Sequence, residues 1–246
     1  MCKIECSICI ATHNKADVLN TVLASIMSQN ISFDFEIIVV DDNSNDKTID
    51  VCLKHEGCVI YKQLIHTQSY RNPAIARNTA YKMARGHVVI CQSDDVIHIT
   101  PDSVEQLVLN LLPDTFTIAT VFNTDINGNI VQHPLPMLTG TQCQRPLFFL
   151  GSILRSDLYR AGGNDELYIS PGFEDNAFAD SLIAGLGLKV RYDAKVVGHH
   201  IDHPRPKNLS YLVTPSRIRY QQRQHLCTTG QESWLSPHAP WQYIEN

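Results

Sequence analysis

Four short apolar runs, separated by helix-like segments, limit what the first hundred residues can form. The runs are CSICIA (6–11), EIIVV (36–40), CVIYKQL (58–64) and HVVIC (87–91). Between the first two, Val18, Leu19, Val22, Leu23, Ile26 and Met27 recur at helical spacing, with Asn14 or Asp17 as the expected cap. Asp46 opens a short helix through Ile49, Cys52 and Leu53. Residues 73–85 read as a helix with Pro73 in its first turn and Gly86 just past its end. Strands alternating with helices predict a parallel sheet with helices on both faces. Such sheets bind ligands beyond the carboxyl ends of their strands. Three of those ends carry the clusters THN (12–14), DDNSND (41–46) and QSDD (92–95), so the sequence gathers its polar chemistry on one rim.

The second half is less regular. Residues 100–113 predict a helix with Thr100 as cap, and Asn127-Gly128, between TIATVFN and NIVQH, predicts a hairpin. A helix over 174–186 stops at Gly187, and LKVRYDAKVVG (188–198) forms a late strand. No linker or repeat interrupts the chain. One compact unit over 1–246 is expected, with lobes 1–99 and 100–246.

A chain of 246 residues with 43% apolar residues can bury a core, and 18% charged residues are too few for disorder. A formal charge of −5 gives no global attraction to nucleic acid or anionic lipid. No run approaches the ~18 apolar residues of a membrane helix, and MCKIECSICIATHNK is too polar for a secretory signal. Cys6 and Cys9 form a C-x-x-C, yet three positions apart on a strand they face opposite ways and cannot share a zinc ion. Reduced thiols fit better. Together these features predict a cytoplasmic protein, free or at the periphery of a membrane, without integral membrane association.

Asp94 and Asp95 place two like charges where a core strand ends. Hard cations such as Mn²⁺ or Mg²⁺ take carboxylate oxygens and often keep phosphate oxygens as further ligands, so the pair suits a metal held against a diphosphate. An ordinary polar turn is the competing reading. Asp41 and Asp42 end the neighbouring strand, where a carboxylate can accept from a nucleobase imide or a ribose hydroxyl. Their competing reading is a turn that caps the next helix.

Taken in order, CSICIATHNKADVLNTVLASIMSQ, FEIIVVDDNSNDKT and ARNTAYKMARGHVVICQSDDV resemble the family 2 glycosyltransferases. The resemblance is close over residues 4–112 and returns near 172. It implies a GT-A fold, α/β and Rossmann-like, with a mostly parallel central sheet. It also implies an inverting, hexosyltransferase-type enzyme that uses Mn²⁺ or Mg²⁺ and a nucleotide-diphosphate sugar, with UDP-sugar as the first expectation. By the resemblance, Thr12 and His13 line the base pocket, His13 standing where the family usually has an aromatic ring. Asp42 binds the base, Asp41 supports its loop, and Arg77 faces the nucleotide or its phosphates. Asp94 contacts ribose or sugar. Asp95 is the metal ligand of a DXD-like motif that reads SDD here. PGFED matches the family's G-x-E-D segment, which makes Asp175 the catalytic base and Glu174 the residue that positions hydroxyls. Capping of the following helix is the alternative for both acids.

GHHIDHPRP (198–206) supplies His200 or His203 as a further metal ligand by the same resemblance, with His199 facing away from His200. From His203 to Gln231 there are no acids, while Arg205, Lys207, Arg217, Arg219 and Arg223 are present. A loop closing over the diphosphate, a solvated helix face and a groove for a polyanion are the three readings of this stretch. The acceptor hydroxyl is left open among glycan, lipid carrier, protein and modified nucleic acid. Two rivals are a sugar-phosphate nucleotidyltransferase and a non-catalytic sugar-nucleotide or glycan-binding module. ATHNKAD lacks the glycine-rich signature of the first, and both acids Asp95 and Asp175 argue against the second.

Overall fold

The computed structural model describes residues 4–55, 57–68, 70–131, 136–203 and 206–242. Strands β1 (Cys6–Thr12), β2 (Phe35–Asp41), β3 (Val59–Gln63) and β4 (Val88–Ser93) form a parallel block in the order β3-β2-β1-β4. Helices α1 (Ala16–Met27), α2 (Thr48–Lys54) and α3 (Ala74–Met83) connect them. Both faces of the block are covered, which is why its strands read as unbroken apolar runs. Cys6, Ile8 and Ile10 pack with Leu19, Val22 and Leu23 of α1 on one face. Cys9 packs with Ala76, Ala80 and Tyr81 of α3 on the other, so the C-x-x-C is split across the sheet. Register sets the rim: Thr12 lies opposite Asp41, and Ala11 opposite Ser93.

The remaining elements are β5 (Val96–His98), α4 (Ser103–Leu109), β6 (Thr115–Thr124), β7 (Met137–Thr139), β8 (Leu150–Leu154), α5 (Arg155–Ala161), α6 (Glu174–Asp180), β9 (Lys189–Ile201), α7 (Leu209–Leu212) and α8 (Thr214–Thr228). They extend the same sheet as β4-β8-β6-β9-β5, with β7 on the side of β6. β9 runs parallel to β6 and antiparallel to β5, which sets His200 opposite both Val96 and Asn123. A residue near the carboxyl end of the chain therefore meets the turn after β4.

Several local expectations are corrected. Neither Asn14 nor Asp17 caps α1. Asp46 accepts from Ala16 N–H (3.0 Å) and also from Thr48 N–H (3.0 Å), so one carboxylate serves the starts of α1 and α2. Burial raises the Asp46 pKa, but its bonds from Thr48 and Ala16 outweigh that and hold it low. Helix α3 ends at Met83, with Ala84 already extended. Gly86 is needed for a different reason: a Cβ there would lie 2.6–2.8 Å from the backbone of Cys6. Thr100 does not cap α4, which starts at Ser103. Its hydroxyl bonds Lys195 O and Val197 N–H of β9 instead. The helix expected over 174–186 is α6 followed by a π turn, Ser181–Gly185. The hairpin at Asn127-Gly128 is present but short: Gly128 turns with φ +83°, Asp125 N–H donates to Asn129 O (2.9 Å), Ile130 bridges to Thr124 and Val131 N–H donates to Asn123 O (2.8 Å), while 132–135 lie outside the described residues.

Among the described residues no helix is long and apolar enough to cross a membrane. The basic stretch is partly committed to packing. Arg219 pairs with Asp165 (2.8 Å), and buried Arg223 donates to Leu235 O (2.9 Å) and Trp234 O (2.5 Å). Arg205 lies outside the described residues.

Candidate active site

Beyond the carboxyl ends of β1, β2 and β4 lies a cleft of about 490 Å³. Thr12, His13, Asp42, Arg77, Asp94, Asp95, Glu174, His200 and His203 all line it. Asp41 lies beneath its floor and Asp175 beside its wall.

At one end, two loops lock the rim. His13 Nδ1 lies 2.7 Å from Asp42 O, Asn14 N–H donates to Ser44 Oγ (2.8 Å), and Asn45 N–H donates to Asn14 Oδ1 (2.8 Å). Asn14 and Asn43 hold left-handed backbone, φ +52° and +65°, which asparagine tolerates better than most residues. Asp41 is fully buried and accepts from Ser44 N–H (2.8 Å) and Tyr61 O–H (2.7 Å). Asp42 faces the cleft, where Arg71 grips both of its oxygens and His66 Nε2 lies 3.6 Å from Oδ1.

In the middle, Asp94 and Asp95 turn towards β9. His200 Nδ1–H donates to Asn123 Oδ1 (2.9 Å), and Asn123 is itself oriented by donating to Asp202 Oδ1 (3.3 Å). That chain aims Nε2 of His200 at Asp95 Oδ2, 3.3 Å away. His203 Nε2 lies 3.7 Å from the same oxygen. Ligand atoms of Asp95, His200 and His203 fall within 4.8 Å of one another, and Asp95 Oδ1 is buried with no hydrogen-bond partner among the described residues. An orphaned carboxylate oxygen, two convergent imidazoles and an outer amide that fixes a tautomer fit a divalent cation. His199, pairing opposite Ile97, turns its side chain the other way, towards Gly128. Burial raises the Asp95 pKa, but the hydrogen bond and charge of His200, then Lys15, hold its carboxyl far below the usual range. Asp94 goes the other way: burial pushes it up, and Lys15 only partly offsets that.

At the far end, Pro171-Gly172-Phe173 forms a tight turn into α6. Gly172 has φ +81° and Phe173 φ +68°, a conformation that costs an aromatic residue about 1 kcal/mol or more. Packing of Phe173 on Tyr220, ring centres 5.4 Å apart, helps to hold it. The turn delivers Glu174 and Asp175 side by side onto Arg77, which contacts Asp175 Oδ1 and lies 3.5 Å from Glu174 Oε1. Burial disfavours the Arg77 charge, but the two carboxylates outweigh it and keep the guanidinium protonated. Burial and Asp175 push the Glu174 carboxyl up, against the pull of Arg77. Asn72 donates to Glu174 Oε2 (3.2 Å) and to Ser170 O (2.9 Å), tying the loop ahead of α3 to this turn.

The model of the family described as glycosyl transferase family 2 matches residues 7–173, more than half the chain. The chain belongs to glycosyl transferase family 2. Among curated relatives, the poly(ribitol-phosphate) beta-N-acetylglucosaminyltransferase TarP of Staphylococcus aureus is 35% identical over 96 residues, 37% of this chain and 29% of that protein. Chondroitin synthase of Escherichia coli is 24% identical over 256 residues, 87% of this chain and 37% of that one. The chain thus spans about a third of these relatives' lengths. Among solved structures, S. aureus TarS 1-349 in complex with UDP-GlcNAc superposes with a TM-score of 0.68 at 18% identity, over 92% of this chain and 66% of that one. A mannosyltransferase from Pyrobaculum calidifontis in complex with GDP-Man and Mn²⁺ gives 0.63 at 19%, over 95% and 66%. At that identity the likeness shows the fold, which is GT-A.

The family 2 match stops one residue before Glu174, so the acid pair rests on geometry alone. Sequence reading missed Lys15, His66, Arg71 and Phe149, all of which line the cleft. Lys15 follows directly on the THN cluster, and Arg71-Asn72 directly precedes a helix whose start faces the rim. A cation next to a segment expected at the rim was the available signal for both. His66 and Phe149 lie in segments without periodicity and carry no such signal.

Proposed function

We propose that this chain transfers a sugar from a nucleotide-diphosphate sugar to an acceptor hydroxyl, with inversion at the anomeric carbon. The observation that carries the reading is one cleft lined by three parts: the β1–β2 rim, the Asp95-His200-His203 donor set, and Glu174 with Arg77, which also holds the adjoining Asp175. Thr12 and His13 flank the base, His13 offering a stacking face. Asp42 accepts the imide N–H of uracil, the base found with TarS, and Asp41 holds its loop. Asp94 takes a ribose or sugar hydroxyl.

Asp95, His200 and His203 would hold the metal, with Mn²⁺ favoured over Mg²⁺ because two of the three donors are imidazoles. The bound ion supplies positive charge against the diphosphate as it leaves. Asp175, oriented by Arg77, takes the proton from the acceptor oxygen as that oxygen attacks from the face opposite the diphosphate. Glu174, held by Asn72 beside Asp175, positions hydroxyls through its carboxyl oxygens. Residues 1–99 then supply most of the donor site, with His200 and His203 added from the second lobe, and the Glu174-Asp175 turn of residues 100–246 serves the acceptor. The relatives' printed activities favour a glycan hydroxyl as acceptor. Thiols at Cys6, Cys9, Cys52, Cys58, Cys91, Cys143 and Cys227 support a reducing, cytoplasmic setting.

The test is nucleotide release from UDP-, GDP- and dTDP-sugars with Mn²⁺, with EDTA and Asp95→Ala as controls. Metal-dependent turnover of one donor, lost in Asp95→Ala, is expected. Binding without turnover against any glycan acceptor would make the chain a sugar-nucleotide-binding module instead.

A further inference from the structure

Lys15 lies between the two functional acids of the metal end. Its Nζ donates to Asp95 Oδ2, the oxygen that His200 and His203 also face, and lies 3.5 Å from Asp94 Oδ1. The side chain is 24% exposed, so solvent reaches it beside both acids. On its far side, at the start of α1, is a second hollow of about 320 Å³, and Lys15, Asp95 and His203 line both this hollow and the main cleft. An ammonium and a divalent cation cannot share Asp95 Oδ2 without strong repulsion.

We propose that Lys15 is an exchangeable counter-ion: it satisfies Asp95 before the metal binds and is displaced from it when metal and nucleotide arrive together. Released, its four-carbon stem lets Nζ turn to the diphosphate of the donor, where a point charge suits phosphate oxygens. Metal and nucleotide affinities are thereby coupled. The metal alone must evict Lys15 at a cost, whereas the metal with a diphosphate gives the lysine a new partner. Linkage requires the coupling to act equally in both directions. The inference rests on the donor-site reading above and concerns a residue outside that reading.

The test measures Mn²⁺ binding by electron paramagnetic resonance, and UDP and GDP binding by calorimetry, on the full chain and on Lys15→Met. In the unaltered chain the nucleotide that binds should tighten Mn²⁺ by about tenfold or more, the effect expected when one nearby unit charge is removed from a half-buried site. In Lys15→Met, Mn²⁺ alone should bind about tenfold more tightly, the tightening by nucleotide should shrink by about the same factor to what direct ligation by the diphosphate supplies, and nucleotide binding in the presence of Mn²⁺ should weaken. Lys15→Arg keeps the charge and should keep the coupling. Lys15→Gln serves if the methionine variant fails to fold. Unchanged or weaker Mn²⁺ binding in Lys15→Met without nucleotide, or a coupling there as large as in the unaltered chain, overturns the exchange while leaving the donor site standing. If the unaltered chain binds neither Mn²⁺ nor any nucleotide, the donor-site reading itself is overturned and the exchange with it.

Discussion

At the scale of single residues, the cleft pairs each acid with a specific partner, and those partners define what a substitution should do. Asp175→Asn keeps the shape that Arg77 holds but removes the proposed proton acceptor. Transfer should fall by roughly 10²–10⁴-fold with donor KM little changed, measured by steady-state kinetics. A raised donor KM at near-normal kcat would make Asp175 a binding residue. Arg77→Met leaves Glu174 and Asp175 facing each other without their cation. The expected cost is about 3–5 kcal/mol, read from urea unfolding, because an acid pair stripped of its buried counter-charge is strongly destabilising.

At the scale of elements, the turn carrying Asp94 and Asp95 is braced from below. Gln92 Nε2 donates to Val96 O (2.9 Å), and Gln92 Oε1 lies 2.9 Å from His98 Nε2, whose Nδ1 meets Ser103 Oγ (2.5 Å). Burial pushes the His98 pKa down to about 4 from its ordinary 6.5. The unfolded chain therefore binds a proton between those values that the folded chain refuses, and stability falls as pH drops through that window. The loss on going from pH 7 to about 4.5 should reach roughly 2–3 kcal/mol from this group. Urea denaturation at both pH values should show a smaller drop in His98→Gln. Gly86 is the second braced point: Gly86→Ala drives a Cβ into the backbone of Cys6 and Ser7 and should cost about 2 kcal/mol or more, measured as a lowered Tm.

At the scale of the whole molecule, the carboxy-terminal segment ties α5 and α8 to the sheet. Trp241 packs edge-on against Tyr159 (5.4 Å), lies under the Lys82 ammonium (4.6 Å) and fills the space over Gly163. Arg223 reaches from α8 to the carbonyls of Trp234 and Leu235. Trp241→Ala should cost about 3 kcal/mol or more in thermal denaturation, as loss of a large packed ring does.

The amino-terminal half was legible because its information is local. β1, β2 and β4 are apolar runs with both faces covered, and each ends on polar residues that a parallel register brings to one rim: Thr12 lies opposite Asp41, and Ser93 one position short, opposite Ala11. The sequence by itself therefore determined the strand-helix alternation, the rim and the acids on it. Helix starts were legible in place but not in partner. Asp46 caps α1 across 30 residues, and Gln29 accepts from Ser103 O–H at the start of α4. Only the tertiary structure decided which histidine faces Asp95, since that depends on β9 lying between β6 and β5 with His200 opposite Asn123 and Val96. It alone decided that Arg77 serves the acid pair after Phe173, and that Lys15 and Arg71 hold Asp95 and Asp42. The physical reason is the same in each case. Periodicity reports which face of an element is buried, whereas a charge finds its counter-charge through space, across strands whose order the sequence does not spell out.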